Sequence, residues 1–156
     1  MNVTATEIVT AFMEALEFKK FDKAAAYLSD NFQFSGPAPL SLNKDKFISY
    51  WSALAAGMPN LSYHFHDPRE VIERLGEGKR VRATIQIIGT HTNDFQILLL
   101  GFPPIPATNN SVLLPEEHWE YALKGDTIAF IRVEQVSGGG IAGILEQLGV
   151  DIPIIQ

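Results

Sequence analysis

The chain has 156 residues, 46% apolar and 19% charged, a balance that fits one globular domain (1–156) with a real core and excludes a disordered chain. Twelve basic against 18 acidic residues give a net charge of −6, which argues against nucleic acid or an anionic membrane as partner, since both reward basic patches. The absence of cysteine excludes disulfides, thiolate metal sites and a cysteine nucleophile. No apolar run reaches the roughly 18 residues of a membrane span, and the N-terminus lacks a basic start followed by an apolar stretch, so a soluble cytoplasmic protein is expected.

Thr4 and Glu7 have the spacing of a capping box, and Val9, Phe12, Met13 and Leu16 then mark one face of a helix. Phe21-Asp22 opens a second helix with Ala24, Ala25 and Leu28 as its stripe, broken at Ser29-Asp30-Asn31. Phe32 and Phe34 read as a short strand before Gly36-Pro37. Ser41 or Asn43 caps a third helix carrying Phe47, Tyr50, Trp51 and Leu54, stopped by Gly57 and Pro59. Leu61, Tyr63 and Phe65 alternate with Ser62, His64 and His66, so a strand is expected there, bulged at Pro68 and resuming at Val71 and Ile72 before a turn at 76–78.

The chain is then organised around a long hairpin from about Lys79 to Ser137. Val81, Ala83, Ile85 and Ile87 alternate with Arg82, Thr84, Gln86 and Ile88. Trp119, Tyr121 and Leu123 alternate with His118, Glu120 and Ala122, and Ala129, Ile131 and Val133 with Phe130, Arg132 and Glu134. Lys124-Gly125-Asp126 is a tight turn between the last two strands. Between the first two lies the apolar, proline-broken segment Phe95–Ala107, expected to act as a lid or a dimer contact because so much exposed apolar surface is unusual on a monomer. After Gly138–Gly140 a short amphipathic helix carries Ile141, Ile144, Leu145 and Leu148 and ends at Gly149. Helices first and an antiparallel sheet after give an α+β order.

Several segments carry a family resemblance: FISYWSALAAGMPNLSYHFHD, VRATIQIIGTHTNDF with GFPPIPATNNSV, and GGGIAGILEQLGV. Together with the element order they resemble the NTF2-like fold, in its SnoaL-like polyketide cyclase branch, over nearly the whole chain. The resemblance implies a cone of three N-terminal helices on a curved antiparallel sheet, closed by a short C-terminal helix. It implies a pocket for a small apolar or cyclic molecule, no cofactor, and a homodimer paired through the outer sheet face, where Ile87 or Ile88 and the His64/His66 row would lie. It also implies a carboxylate near the end of the last strand.

Counting from Ile128, that carboxylate position falls near Val136, and Glu134 is the nearest acid. Alternation alone leaves open whether Arg132 and Glu134 face the interior or the outside; the resemblance places them inward. Glu134 is then the expected proton-transfer group, Arg132 the holder of an anionic oxygen, and Glu117, inward by parity with Trp119 and Tyr121, the second acid. Phe12, Trp51, Tyr63, Trp119 and Tyr121 are the candidate ligand-binding lining, because Trp and Tyr carry polar atoms that want partners when buried. His64, His66 and Asp67 do not make a metal site, since a metal needs three or four converging ligands and the alternation puts the two histidines outside. His91 is expected to orient its loop by hydrogen bonding. Two readings follow: a cofactor-independent acid–base enzyme of cyclase or isomerase type acting on a cyclic or polyketide-like carbonyl compound, and a non-catalytic ligand-binding or protein-interaction domain.

Overall fold

The computed structural model describes residues 4–36, 41–71, 79–97 and 103–150. Its first helix, α1 (Ala5–Glu17), begins at the expected capping box: Thr4 Oγ1 accepts the Glu7 amide at 3.1 Å and Glu7 Oε1 accepts the Thr4 amide at 2.9 Å. Val9, Phe12, Met13 and Leu16 are all buried. A short α2 (Phe21–Ala26) follows, and α3 (Lys44–Gly57) starts at Asn43, whose side chain accepts the Lys46 amide. Asn43, not Ser41, is the cap.

Among the described residues eight strands accompany them: β1 (Leu28–Ser35), β2 (Ser41–Asn43), β3 (His66–Val71), β4 (Lys79–Ile85), β5 (Ile88–Thr90), β6 (Ser111–Leu113), β7 (Glu117–Lys124) and β8 (Thr127–Val133). Six form a sheet in the order β2-β1-β8-β7-β4-β3, and β5 pairs with β6 in a separate ribbon. The sheet is antiparallel except at β1 and β8, which run parallel. Those two are far apart in sequence, and a long connection can return a strand in the same direction where a tight hairpin cannot. Helix α1 packs on β3 and β4, and α3 on β1 and β2.

The long hairpin is broken twice. Gln86 and Ile87 lead the chain out of β4 into the ribbon, and Pro115 separates β6 from β7. Upstream, the strand expected over 61–66 is reduced to one bridge between Ser62 and Ile88, since His64 takes a positive φ of 43° and the ladder begins only at His66. The break at Pro68 is a bulge: His66 faces Thr84, but Arg69 already faces Arg82. The resumption at Ile72 and the turn at 76–78 lie outside the described residues.

The interior is aromatic and centred on Phe47, whose ring meets those of Phe32 and Phe34 at 5.1 Å each, Phe12 at 6.2 Å and Trp51 at 6.5 Å. In the segment 95–107, Phe95 and Ile105 exchange two backbone hydrogen bonds of 2.9 Å, and Phe95, Ile97 and Ile105 are buried. The Phe95 ring lies flat on Gly57, where any Cβ would collide with it. These residues thus belong to the core; Leu98, Leu99, Leu100 and Phe102, on which the lid or dimer-contact expectation also rests, lie outside the described residues. Among the described residues no helix is long and apolar enough to cross a membrane.

Because Phe47 touches four rings, Phe47→Ala is expected to cost about 3–5 kcal/mol in urea unfolding, whereas Phe18→Ala, at a side chain 68% exposed, stays within about 0.5 kcal/mol. Equal costs at the two sites would show that the core is not organised around Phe47.

Candidate functional site

Strand β7 brings the site together. Its buried residues are Glu117, Trp119, Tyr121 and Leu123, and its outward ones His118, Glu120 and Ala122. Trp51 on α3 meets Trp119 at 5.7 Å between ring centres, and Phe34 of β1 meets Trp119 at the same distance. Tyr50, Ile87, Leu114 and Val133 complete the walls, and α4 (Gly140–Leu148) closes them with Gly140 and Ile144. The free space among these residues is about 20 Å³, room for a single water, and it is partly open.

Glu117 is the charged member of this lining. It is 3% exposed. Its Oε2 accepts the Gly140 amide at 3.1 Å, and its Oε1 faces the Trp119 indole N–H at 3.4 Å. Both donors are neutral. Removal from water pushes the carboxyl above its ordinary range, and the two hydrogen bonds pull back only part of that rise. Burial, and next the Glu117 charge, raise the Tyr50 hydroxyl. Tyr50 was not among the expected site residues; its signal was its place beside Trp51 on the buried stripe of α3. Gly140 could not be read from the sequence, because its contribution is a backbone amide.

The expected aromatic residues divide. Trp51 and Trp119 line the cavity. Tyr63 packs on Trp51 at 5.2 Å and Tyr121 lies 6.2 Å from Trp119, one layer behind the wall. Phe12 lies deeper, against Phe47. Tyr63 is held in place by α1, whose Glu17 carboxylate accepts its backbone amide at 3.0 Å. The Trp51 indole nitrogen and the Tyr63 and Tyr121 hydroxyls are buried with no partner among the described residues. Burial raises the pKa of both tyrosines well above the usual range, so all three polar atoms are donors at neutral pH.

Arg132 and Glu134 are on the other face, which corrects their inward placement. Their side chains are 60% and 52% exposed. Arg132 pairs with Glu120 at 2.9 Å, and Glu134 with Arg82 at 2.8 Å. The cause is a bulge at the start of β8. Leu123 faces Ile128 but Ala122 faces Phe130, so Ala129 is an extra residue. Strict alternation from the buried Ile128 would have carried Phe130, Arg132 and Glu134 inward; the extra residue turns Ile131 and Val133 in instead. Proton transfer inside the cone therefore cannot run through Glu134, and Arg132 cannot hold an oxygen there.

The histidines sit apart from the cavity. His64 is exposed; His66 faces Glu116 at 3.6 Å and His118 faces Glu134 at 3.9 Å, both on the outside. Ile87, expected on the outer face, is buried in the cavity wall, and Ile88 is half-buried in the ribbon. His91 is fully buried. Its Nδ1 accepts the Thr108 amide at 3.2 Å, which leaves the proton on Nε2, where no group among the described residues meets it, and its ring stacks on Phe95 at 4.1 Å. The expected loop-orienting role matches this geometry. Burial lowers its pKa, and Asp94 offsets part of that.

A family profile described as SnoaL-like domain matches residues 9–139. No curated protein matches the sequence. Among solved structures, the chain is similar to a SnoaL-like polyketide cyclase from Agrobacterium tumefaciens strain C58, with 18% identity, 95% of this chain and 100% of that one covered, and a TM-score of 0.63. It is similar to a cystatin-fold protein from Novosphingobium aromaticivorans, at 18% identity over 86% and 100% of the two chains, with a TM-score of 0.62. It is also similar to an NTF2-like protein of unknown function from Cytophaga hutchinsonii, at 18% identity over 86% and 91%, with a TM-score of 0.55. At such identities the likeness is one of fold, and it agrees with the α+β cone.

The two buried titrating groups tilt stability in opposite directions. Glu117 is raised in the fold, so above the unfolded value near 4.5 the native state holds a proton the unfolded chain has lost, and stability falls as pH rises through the folded value. His91 is lowered, so its contribution is complete above about 6.5 and is lost as pH falls from there toward its folded value. Urea unfolding across pH should show Glu117→Gln removing the first slope and His91→Asn the second. A slope unchanged by its variant would mean that another group titrates.

Proposed function

Since the chain belongs to the SnoaL-like domain family, we propose that its cone binds a small apolar cyclic compound carrying a carbonyl, and that Glu117 moves a proton beside that carbonyl without a cofactor. The observation that carries this reading is the position of Glu117: a carboxylate withdrawn from water, facing two tryptophans, and hydrogen-bonded only by neutral donors among the described residues. A raised carboxyl pKa is what a base needs to take a proton from carbon near neutral pH and return it elsewhere, the economy of a cyclase or isomerase step. Tyr50, beside the acid, is placed to donate to the carbonyl oxygen, and Trp51 and Trp119 offer flat faces to a ring.

The second reading is a binding or protein-interaction domain without turnover. It is favoured by the small free volume: about 20 Å³ is far below the roughly 300 Å³ at which small-molecule pockets begin. Under this reading the tryptophans and Glu117 are a filled core.

The discriminating measurement is deuterium exchange at the α-carbon of a panel of cyclic ketones and β-dicarbonyl compounds, followed by NMR. Glu117→Gln should lower any catalysed rate by about 10²–10⁴, with Glu134→Gln near wild type. Catalysis that survives Glu117→Gln removes the assignment; saturable binding with no exchange on any compound establishes the second reading.

We also infer a cytoplasmic homodimer, paired across the outer sheet face. That face carries Phe130 and Ala122, half-buried, among the pairs Arg80–Glu120–Arg132 and Arg82–Glu134. Such pairs contribute little to an exposed monomer and gain strength when a second copy shields them from water. Light scattering at micromolar concentration should give twice the chain mass, and a monomer mass would remove the dimer.

A further inference from the structure

We propose that α4 is the gate of the cavity and that Glu117 is its latch: a ligand is admitted when α4 swings away and takes over the place of the Gly140 amide on the Glu117 carboxylate. This rests on the reading of the cone as a ligand site, but its physical content is a motion of the unliganded protein. The space between these residues is partly open but admits only one water, so nothing larger is seated there without a wall moving. Of the walls, α3 and the three strands are tied into the main sheet and the aromatic core. Helix α4 is tied differently. Its main packing is on β6, in the small ribbon.

The attachments of α4 are few and lie at its two ends. At the far end Gln147 makes a reciprocal pair with the Leu113 backbone, accepting its N–H at 2.7 Å and donating to its C=O at 2.8 Å, and Asn110 donates to the Leu148 carbonyl at 3.3 Å. At the near end stands the Gly140–Glu117 bond. The chain enters that end through three glycines, Gly138 to Gly140, of which Gly138 and Gly140 take left-handed φ values of 84° and 70°. Only glycine adopts these freely, so this stretch can change direction at low cost. The third, Gly139, approaches the latch so closely that a Cβ there would lie 2.6 Å from Glu117 Oε2. On the buried side Ile144, Leu145 and Leu148 hold the helix down by apolar contact, which a ligand with an apolar body can replace.

The latch also constrains the ligand. When α4 leaves, Glu117 loses the Gly140 N–H, and an uncompensated buried carboxylate is costly. An admitted molecule must therefore offer a donor, such as a phenolic or enolic hydroxyl, on an apolar ring. The buried indole N–H of Trp51, in the cavity wall, suits an oxygen elsewhere on the same molecule.

The experiment uses the full chain. Trp51 and Trp119 are its only tryptophans and both line the cavity, so acrylamide quenching of their emission reads opening directly. Hydrogen exchange of residues 144–148 reads the same event independently. Gln147→Ala, which removes the reciprocal pair, should speed exchange in α4 about tenfold and raise quenching in step, with β7 and β8 unchanged. Gly139→Ala, which crowds the latch from the other end, should do the same. Exchange of α4 only in concert with β7 and β8 in wild type and both variants, or faster exchange without added quenching, overturns the gate. As probe ligands, 2-naphthol should bind saturably and expose the Gly140 amide, and 2-methoxynaphthalene, which has no donor, should not. Equal binding of both removes the latch role of Glu117. If the variants open α4 and neither compound binds even then, the gate stands and the proposed ligand class falls; if 2-naphthol binds while α4 never opens alone, the ligand class stands and the gate falls.

Discussion

The alternation of side chains along β7 is the constraint on which the rest of the site depends. β7 lies inside the sheet, paired on both edges, with β4 on one side and β8 on the other. A strand fixed on both edges cannot slip by one residue without turning its whole apolar set to water. That rigidity places Trp119, Tyr121 and Leu123 in the core, and it forces Glu117, in the same phase, to go in with them. The acid is not buried because its own surroundings favour it. It is buried because three large apolar residues two, four and six positions later outweigh it: each contributes roughly 1.5–3 kcal/mol by leaving water, and the cost falls on one carboxyl that can be met by hydrogen bonds or protonation.

The opposite phase explains the outer face. His118 and Glu120 of β7 stand beside Arg80 and Arg82 of β4 and Arg132 and Glu134 of the β8 end, so charges of both signs meet in rows across three strands. At such exposure the pairs contribute little stability. Their effect is to keep the outer phase of each strand unsuited to the interior, which reinforces the choice of register.

Much of this was legible in the sequence because it rests on local rules. The capping box at Thr4, the stripes of α1 and α3, the bulge at Pro68, the inward phase of Trp119 with Glu117, and the glycine end of α4 all follow from spacing within one element. What was not legible depends on partners far along the chain. The parallel pairing of β1 with β8 needs a contact across most of the sequence. The departure of the chain at Gln86 has no turn residue to announce it. Arg132 and Glu134 were misplaced because a one-residue bulge at Ala129 leaves no mark in composition: the residue is an ordinary strand alanine, and only its unequal pairing with Leu123 and Ala122 reveals it. Counting positions from a family pattern carries no correction for such an insertion, and each insertion reverses every side chain beyond it.

The cavity and the layer behind its wall retain a set of polar atoms that stability alone does not reward. Phenylalanine at positions 63 and 121 would fill nearly the same volume without two hydroxyls that no group among the described residues meets, and each such group costs about 1–3 kcal/mol. The Trp51 indole N–H is in the same condition, and Glu117 keeps its charge only against a solvation penalty. Glu117, the Trp51 N–H and the two tyrosine hydroxyls are grouped around the two adjacent tryptophans, while His91 and Thr84 lie buried elsewhere. In a fold whose other levels agree with one another, a local concentration of such conflicts marks the place where the interior is shaped for something other than its own packing. The smallness of the cavity points the same way. An interior lined by a buried acid and two tryptophans, yet with room for only one water beside a helix hydrogen-bonded at its ends, is arranged to exchange that helix for a guest.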